Sequence, residues 1–484
     1  MMTAVKTFFQ NKILLYVMSR YVTMGLQFLS SIYIAKRLGP HHWGEWSFMV
    51  LLINIGTTLD WGIANSINIL LTQHLKEPRK NAVFCYNALI LSLFIMIPVV
   101  LVTFYDRIFG IRYFSKFDLG GKIYLILLII CVNYLNSLFV NISRVRNRIL
   151  PIAISQSSVA VVSCVLMFFA VSGKLLTLLI WGYAFAVLFS LGVFLTKRDI
   201  DWSVKFDWTT AGTIARKGIF LFCYNGSFAL IAMSTKTIIS YFYPVKNFGF
   251  FSFAFSLANA TMLLVNSLIF IATPRMIKML DGDDKSLNMR NIELLRRCYL
   301  LCINAIVYLS IPCYLLVLLL VPKYQPSTRS FIMIEIALSM YPVCYGYNTF
   351  LLAHNREKNM ASMVGIALLI NVAATWFLAA VLRVQMEYCA IGIAFSYLAN
   401  SVMTNLFAAR VLGTPMDGKT VLRFIPLYSL VPLVITLYIV YADRTGVWWM
   451  LLPFAVFCLF GMKDLLAIKP LLVKLIKKPE IINV

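Results

Sequence analysis

Charged residues are scarce in this sequence, and acidic residues are the scarcest of them. Only 13% of the 484 residues are charged, and 19 Asp and Glu stand against 43 Lys and Arg, which gives a net charge of +24. A soluble globular domain has about 25% charged and roughly 45–50% apolar residues. Here 61% of the residues are hydrophobic and the mean hydropathy is +0.83. The composition therefore excludes a soluble fold.

Sites built from cysteine, histidine or paired acids are also missing. The ten cysteines are scattered without a Cys-x-x-Cys pair, and Cys298 and Cys302, which share a helix face, have no histidine beside them. The four histidines form no metal-ligand pattern. No carboxylate pair, Ser/His/Asp set or Gly-rich phosphate loop is placed where it could act. We therefore expect no metal, no resident cofactor and no enzyme.

Fourteen long apolar stretches fill the chain instead. A helix needs about 20 apolar residues to cross a bilayer. The stretches lie near residues 13–35, 43–71, 82–104, 122–143, 149–171, 174–196, 217–241, 248–273, 297–320, 329–353, 360–382, 388–410, 421–441 and 446–466. The first is too long for the apolar part of a signal peptide. The connections are too short for a folded domain, so we predict an all-α polytopic membrane protein with about 14 transmembrane helices.

The basic residues indicate an orientation. Most of the 43 Lys and Arg fall in the connections on one side of the predicted membrane, the side that also holds both ends of the chain. Cytoplasmic connections carry an excess of Lys and Arg. We therefore expect both termini in the cytoplasm.

The chain also looks internally doubled. Trp43-Gly44-Glu45-Trp46-Ser47-Phe48 opens the second span, and Phe248-Gly249-Phe250-Phe251-Ser252-Phe253 opens the eighth. Six spans separate the two segments, so the copies keep one orientation, as in transporters with parallel repeats. We predict an N-lobe over 1–212 (helices 1–6) and a C-lobe over 213–412 (helices 7–12) around a central cationic cavity. Residues 413–484 would add two helices and a basic cytoplasmic tail.

Polar residues recur at helical spacing on five of the spans, which places them in stripes. Asn, Ser and Thr commonly join packed helices by hydrogen bonds, so each residue alone fits an interhelical contact as well as a cavity wall. Five stripes together favour a water-filled lumen. The polar lumen or substrate-binding candidates are Gln27, Asn54, Asn65, Asn133, Asn136, Asn225 and Asn259.

Three ionisable residues, Arg20, Asp60 and Lys236, lie inside predicted spans and complete that set. A charge at the centre of a bilayer helix costs about 2.5–3.5 kcal/mol, so it persists where it faces a partner or a wet cavity. Arg20 and Asp60 lie at similar depths, which fits either a structural salt bridge or a lumen arginine that Asp60 tunes. Lys236 could instead extend to lipid headgroups. Glu45 and Glu335 lie near outer span ends, where we expect them at the membrane interface.

Basic residues crowd the predicted cytoplasmic turns. Arg144, Arg146 and Arg148 alternate in one turn, and Arg216 with Lys217 opens the seventh span. Such residues set topology and touch anionic lipid in many membrane proteins. Arg also matches phosphate geometry with paired hydrogen bonds. If the lobes face each other, these five residues would flank an inner mouth and favour an anionic cargo.

The segment Arg37-Leu38-Gly39-Pro40-His41-His42-Trp43-Gly44 lies between the first two spans. It resembles the R-x-L-G-P-x-x-x-G signature of polysaccharide flippases, which belong to the multidrug/oligosaccharidyl-lipid/polysaccharide (MOP) superfamily. The start of the eighth span and the basic turns after spans 4 and 10 look like that family as well. The resemblance covers spans 1–12 in layout. The second copy departs from it, with Tyr243-Pro244-Val245 where Gly-Pro would stand.

This resemblance implies a flippase for an undecaprenyl-pyrophosphate-linked oligosaccharide, such as an O-antigen or capsule repeat unit. The cargo would cross the bacterial inner membrane to the periplasmic face by alternating access, with H⁺ or Na⁺ coupling as an option. The implied partners are the lipid-linked oligosaccharide, membrane lipids, and polymerase or export proteins of the glycan pathway. We expect a monomer that binds no nucleic acid.

Three other functions remain open from the residues. A multidrug antiporter of the same superfamily would export cations and should have an acidic lumen, whereas Asp60 is the only clear acid there. A peptidoglycan-precursor flippase would have a similar cationic interior and fourteen spans. A polyprenyl-linked glycan polymerase is less consistent, because it should carry a large outer loop or a polar catalytic cluster.

Overall fold

The computed structural model describes residues 12–109, 112–169, 172–197, 199–280, 282, 284–354, 356–414, 427–444 and 446–477. Within these ranges only the backbone is described for residues 12–20, 102–109, 112, 172, 224–225, 263–275, 277–278, 342, 427–428, 463–465 and 467–477. The regular elements in the described ranges are helices, without a strand. The predicted fold class, an all-α polytopic membrane protein, is confirmed.

The chain forms two compact units, Met1–Met233 and Ser234–Val484. The first holds α1 (Lys12–Thr58), α2 (Ile63–Gln73), α3 (Pro78–Phe109), α4 (Arg112–Ser115), α5 (Lys122–Val145), α6 (Ile149–Phe169), α7 (Leu175–Leu195) and most of α8 (Trp208–Phe242). The second holds α9 (Val245–Leu280), α10 (Lys285–Leu320), α11 (Thr328–Met340), α12 (Tyr347–Ala353), α13 (Glu357–Trp376), α14 (Ala390–Leu412), α15 (Leu427–Tyr441) and α16 (Val447–Lys477). The border falls inside α8, and the predicted lobe boundaries at 212/213 and 412/413 stay predictions.

Each of the fourteen predicted spans overlaps at least one helix of the described residues, and residues 421–426 of the span 421–441 lie outside them. Seven of these helices are long and apolar enough to cross a membrane, and up to nine spans result if each of two bent helix pairs counts as one. Two apolar helices, Ser429–Tyr441 and Val447–Met462, are shorter. The predicted span 329–353 is divided into α11 and α12, because the chain turns at Gly346 with a φ of 89°.

A single residue makes the turn between the first two predicted spans. Gly39 has φ 71° and ψ 170° inside α1, a conformation that glycine adopts at little cost. Pro40 then starts the next helical segment, where a missing N–H loses no hydrogen bond. The Arg37 guanidinium donates a 2.6 Å hydrogen bond to the carbonyl oxygen of Met167 near the end of α6. The signature segment therefore builds this turn and anchors it to a neighbouring helix.

The two units repeat one aromatic contact. Phe48 stacks on Phe117 with ring centroids 3.8 Å apart. In the second unit, Phe253 packs on Tyr324 with centroids 4.2 Å apart. Phe48 and Phe253 hold the same place in the two copies of the repeated segment, and their partners lie just after α4 and just after α10. All four rings are buried, so the repeat in sequence corresponds to a repeat in packing.

Candidate functional site

A break divides the second predicted span at Asp60. α1 ends at Thr58 and α2 begins at Ile63, and the two axes meet at 41°. Trp61 and Gly62 both have positive φ, 53° and 70°, which ends the helix. The Asp60 Oδ1 accepts a 2.8 Å hydrogen bond from the Gly62 amide. Asp60 therefore lies in a turn between two half-helices, and the prediction of one continuous span over 43–71 is wrong.

The break lies directly against the first part of α8. A Cβ built on Gly62 would lie 2.2 Å from the carbonyl oxygen of Gly218, and one built on Gly218 would lie 2.7 Å from the carbonyl oxygen of Trp61. Only glycine at both positions allows this approach of the two backbones. Nearby, the Lys217 Nζ donates a 2.9 Å hydrogen bond to Gln73 at the end of α2. Lys217, a predicted mouth residue, thus also joins α2 to α8.

Four predicted lumen residues are exposed. Gln27 and Asn54 lie on α1, Asn65 on α2 and Asn259 on α9. Hydrocarbon offers no hydrogen-bond partner, so an exposed amide on a membrane helix is stable only beside water, headgroups or other protein. Their exposure agrees with a lumen-lining role, which stays a prediction.

Asn136 is different, because it is buried between helices of the first unit. Its Nδ2 donates a 3.0 Å hydrogen bond to the carbonyl oxygen of Val187, and its Oδ1 accepts one of 3.3 Å from the Ser190 hydroxyl. Asn136 therefore joins α5 to α7. The prediction that it lines a lumen is wrong for this residue. Asn133 is half-buried on the same helix and hydrogen bonds to Tyr183 of α7.

The three arginines of the turn after α5 have unequal surroundings. Arg148 Nη1 lies 2.7 Å from Asp199 Oδ1, and Arg146 pairs with the same oxygen and with the backbone carbonyl of Asp199 at 3.3 Å. The Asp199 side chain is fully buried. Arg144 and Arg216 are exposed and form no ion pair among the described residues. Two of the five predicted mouth residues thus tie the connection between α7 and α8 to the turn between α5 and α6.

The second unit holds a polar group beside Lys236. Asn371 of α13 donates hydrogen bonds of 2.9 Å to Ser234 and 3.0 Å to Thr235 on α8. The half-buried Lys236 places its Nζ 4.9 Å from the centre of the Phe255 ring, which is a cation–π contact. This position does not require the side chain to reach the headgroups. Our sequence interpretation missed Asn371, because its partners lie on a distant helix.

Glu335 is the functional candidate that our sequence interpretation misplaced. It lies within α11 and is fully buried, so the expected position at the membrane interface is wrong. Its Oε1 accepts a 2.9 Å hydrogen bond from the Thr261 hydroxyl of α9. The Ser310 hydroxyl lies near the same carboxyl group, and no cation of the described part of the chain pairs with it. A buried acid with this little compensation is costly when ionised.

The side chains of Arg20 and Asn225 lie outside the described residues, so the Arg20–Asp60 pair stays a prediction. Across the described ranges, no three His, Cys, Asp or Glu side chains come together as metal ligands would.

Comparison with known families and structures agrees with this architecture. A family model described as "Polysaccharide biosynthesis protein" matches residues 9–280. The chain belongs to this family. The resemblance to proteins of polysaccharide biosynthesis is thereby confirmed. No curated protein sequence matches the chain.

Solved structures with the same fold are flippases and transporters. The chain is similar to the lipid II flippase MurJ in an inward closed conformation, with a TM-score of 0.66, 14% identity, and coverage of 95% of this chain and 100% of the other. It is also similar to an inward-facing multidrug resistance MATE family transporter of the MOP superfamily. That match has a TM-score of 0.63 and 12% identity, and it covers 81% of this chain and 94% of the other. At such identities the likeness shows the fold alone.

Proposed function

We propose that this chain flips an undecaprenyl-pyrophosphate-linked oligosaccharide repeat unit, of the O-antigen or capsule type, to the periplasmic face of the inner membrane by alternating access. The observation that carries the proposal is the match of the polysaccharide biosynthesis family over more than half of the chain. The fold that the chain shares with a lipid II flippase supports it. The chain would act as a monomer with both termini in the cytoplasm.

The charge pattern favours an anionic cargo over a cationic drug. The net charge is +24, and Arg144 and Arg216 are exposed without acidic partners among the described residues. Guanidinium groups bind phosphate with paired hydrogen bonds, so such residues suit the pyrophosphate. Arg20 would act deeper in the membrane. A peptidoglycan-precursor flippase is the second candidate, because the MurJ fold fits the chain over 95% of its length.

Glu335 is our candidate for ion coupling. An ionised carboxylate that is fully buried among helices, with only the hydroxyls of Thr261 and Ser310 beside it and no paired cation among the described residues, is disfavoured. We propose that Glu335 binds and releases a proton as the protein changes conformation. A conformational change that lets water reach it would let it release that proton. Proton exchange at Glu335 would couple transport to a proton gradient.

Depletion of the protein in its own cells tests the proposal. The polyprenyl-linked repeat unit should then accumulate on the cytoplasmic side of the membrane, and surface glycan should be lost. Normal surface glycan with no accumulation would contradict the function. Loss of cell-wall precursor export with normal glycan would favour the peptidoglycan-precursor flippase.

A further inference from the structure

A polar cavity of about 720 Å³ opens in the second unit, where α8 ends and α9 begins. The connections that follow α8, α10, α13 and α15 all contribute to its wall. Its volume falls within the range of pockets that hold small ligands, about 300–1,000 Å³. In the orientation predicted from the basic residues, this is the periplasmic end of the unit.

The charges of the lining side chains do not favour a phosphate site. Arg329 is the one basic residue in the described lining, and it is bound by two acids. Its Nε and Nη2 lie 2.9 and 2.6 Å from the two carboxylate oxygens of Asp443, and its Nη1 lies 3.6 Å from Glu387. One guanidinium against two carboxylates leaves the wall negative. The described lining therefore offers an anionic headgroup no cation that is not already paired, and the ion pairs hold Arg329, Glu387 and Asp443 together.

The remaining polar groups both donate and accept hydrogen bonds. The side-chain amides of Asn247 and Gln325 line the cavity and form no hydrogen bond among the described residues. Gln385 accepts a 3.4 Å hydrogen bond from Arg329 through its oxygen, which leaves its NH₂ group to donate to a ligand. Each amide offers two donors and an acceptor. The rings of Tyr243 and Phe250 add an apolar wall.

A ligand for this cavity should be uncharged and should carry many groups that both donate and accept hydrogen bonds. The hydroxyl groups of a saccharide have this property. We propose that the cavity binds the saccharide part of the cargo at the exit side of the second unit. This inference rests on the proposed function. The two parts of the cargo would then bind at different places. The exposed Arg144 and Arg216 would attract the pyrophosphate, and the cavity would bind the sugars. A cation is the competing occupant, because the wall has an excess of acid.

The test uses the purified full-length protein in lipid nanodiscs. The probe is the pool of free oligosaccharides released by mild acid from the polyprenyl-linked glycans of the expressing cells, and binding is followed by saturation-transfer NMR. Asn247→Ala and Gln325→Ala should each weaken binding by about 2- to 12-fold, as expected for a lost neutral hydrogen bond. Lys323→Ala is the matched control, because this exposed residue lies in the same turn as Gln325 but not in the cavity wall. It should leave binding unchanged.

Several outcomes would overturn the inference. No saccharide binding up to millimolar concentration would do so, and so would equal binding by the wild type and both cavity variants. Binding of Na⁺ or Ca²⁺ that both variants weaken, without saccharide binding, would identify a cation site instead. Transport of the lipid-linked cargo is measured on the same preparation. Transport without saccharide binding refutes only the cavity, whereas absent transport with specific saccharide binding refutes the proposed flipping.

Discussion

The backbones of Gly62 and Gly218 touch, so that a Cβ on Gly62 would lie 2.2 Å from the carbonyl oxygen of Gly218. This contact lies where the second predicted span breaks and where α8 passes it. Transporter helices that are interrupted at membrane depth commonly border a substrate site. The break and the contact are therefore candidates for a position beside the transport site in the first unit.

Gly218→Ala should disturb this contact. The added methyl must displace the backbone near Trp61, an overpacking effect that costs about 1–3 kcal/mol. We expect a lower unfolding temperature and slower transport. Gly212→Ala is the matched control on the same helix, because its Cβ would meet nothing within 4 Å. Equal behaviour of the two variants would show that the contact does not matter.

Asp199→Ala should destabilise the protein, because it leaves Arg146 and Arg148 without their shared acid. The two guanidinium groups are partly exposed, so we expect about 1–3 kcal/mol, less than for a fully buried pair. Thermal unfolding in detergent measures this. Asp201→Ala is the control in the same connection, where the acid bonds only to Ser203 in the described structure. If Asp199→Ala is as stable as Asp201→Ala, the ion pairs of Asp199 with Arg146 and Arg148 do not stabilise the fold.

Arg144→Gln should reduce transport without loss of stability, since Arg144 is exposed and forms no ion pair among the described residues. Transport should also weaken with salt, because the Debye length falls from about 10 Å at 0.1 M to 3 Å at 1 M. Reporter fusions must show that the orientation is unchanged. Unchanged transport with unchanged orientation would leave Arg144 as a topology signal alone.

Glu335→Gln should keep the fold, because the amide oxygen can still accept the hydrogen bond from Thr261. We expect transport that no longer responds to a pH difference across the membrane. Proteoliposomes with an imposed gradient measure this. Glu357→Gln, at an exposed acid in α13, is the control and should respond as the wild type does. A gradient response in the 335 variant would exclude Glu335 as the coupling site.

Asp60→Asn separates two roles of this side chain. Asn keeps an oxygen that can accept the hydrogen bond from the Gly62 amide, so the break should persist with little loss of stability. If the charge of Asp60 tunes Arg20, transport should fall several-fold, which a flipping assay measures. Full transport would assign Asp60 to the turn alone.

The helices and the turn at Gly39 could be predicted from sequence, because long apolar runs and a Gly-Pro pair act locally. The break at Asp60 could not, since glycine is common in membrane helices and the contact with Gly218 joins distant parts of the chain. Asn54 and Asn136 show the same limit. Both lie in helical polar stripes, but Asn54 is exposed while Asn136 is buried against Val187. Glu335 was misplaced because its burial depends on α9, not on its own sequence neighbourhood.

The most direct test of the account is flipping by the purified chain in proteoliposomes. Undecaprenyl-pyrophosphate-linked repeat units from the expressing cells are incorporated, and a membrane-impermeant glycan-oxidising reagent reports which face they occupy. The account predicts that the protein makes the inner-leaflet pool accessible much faster than in protein-free vesicles, and that lipid II is flipped poorly under the same conditions. Equal rates with and without protein, or preferential flipping of lipid II, would contradict it.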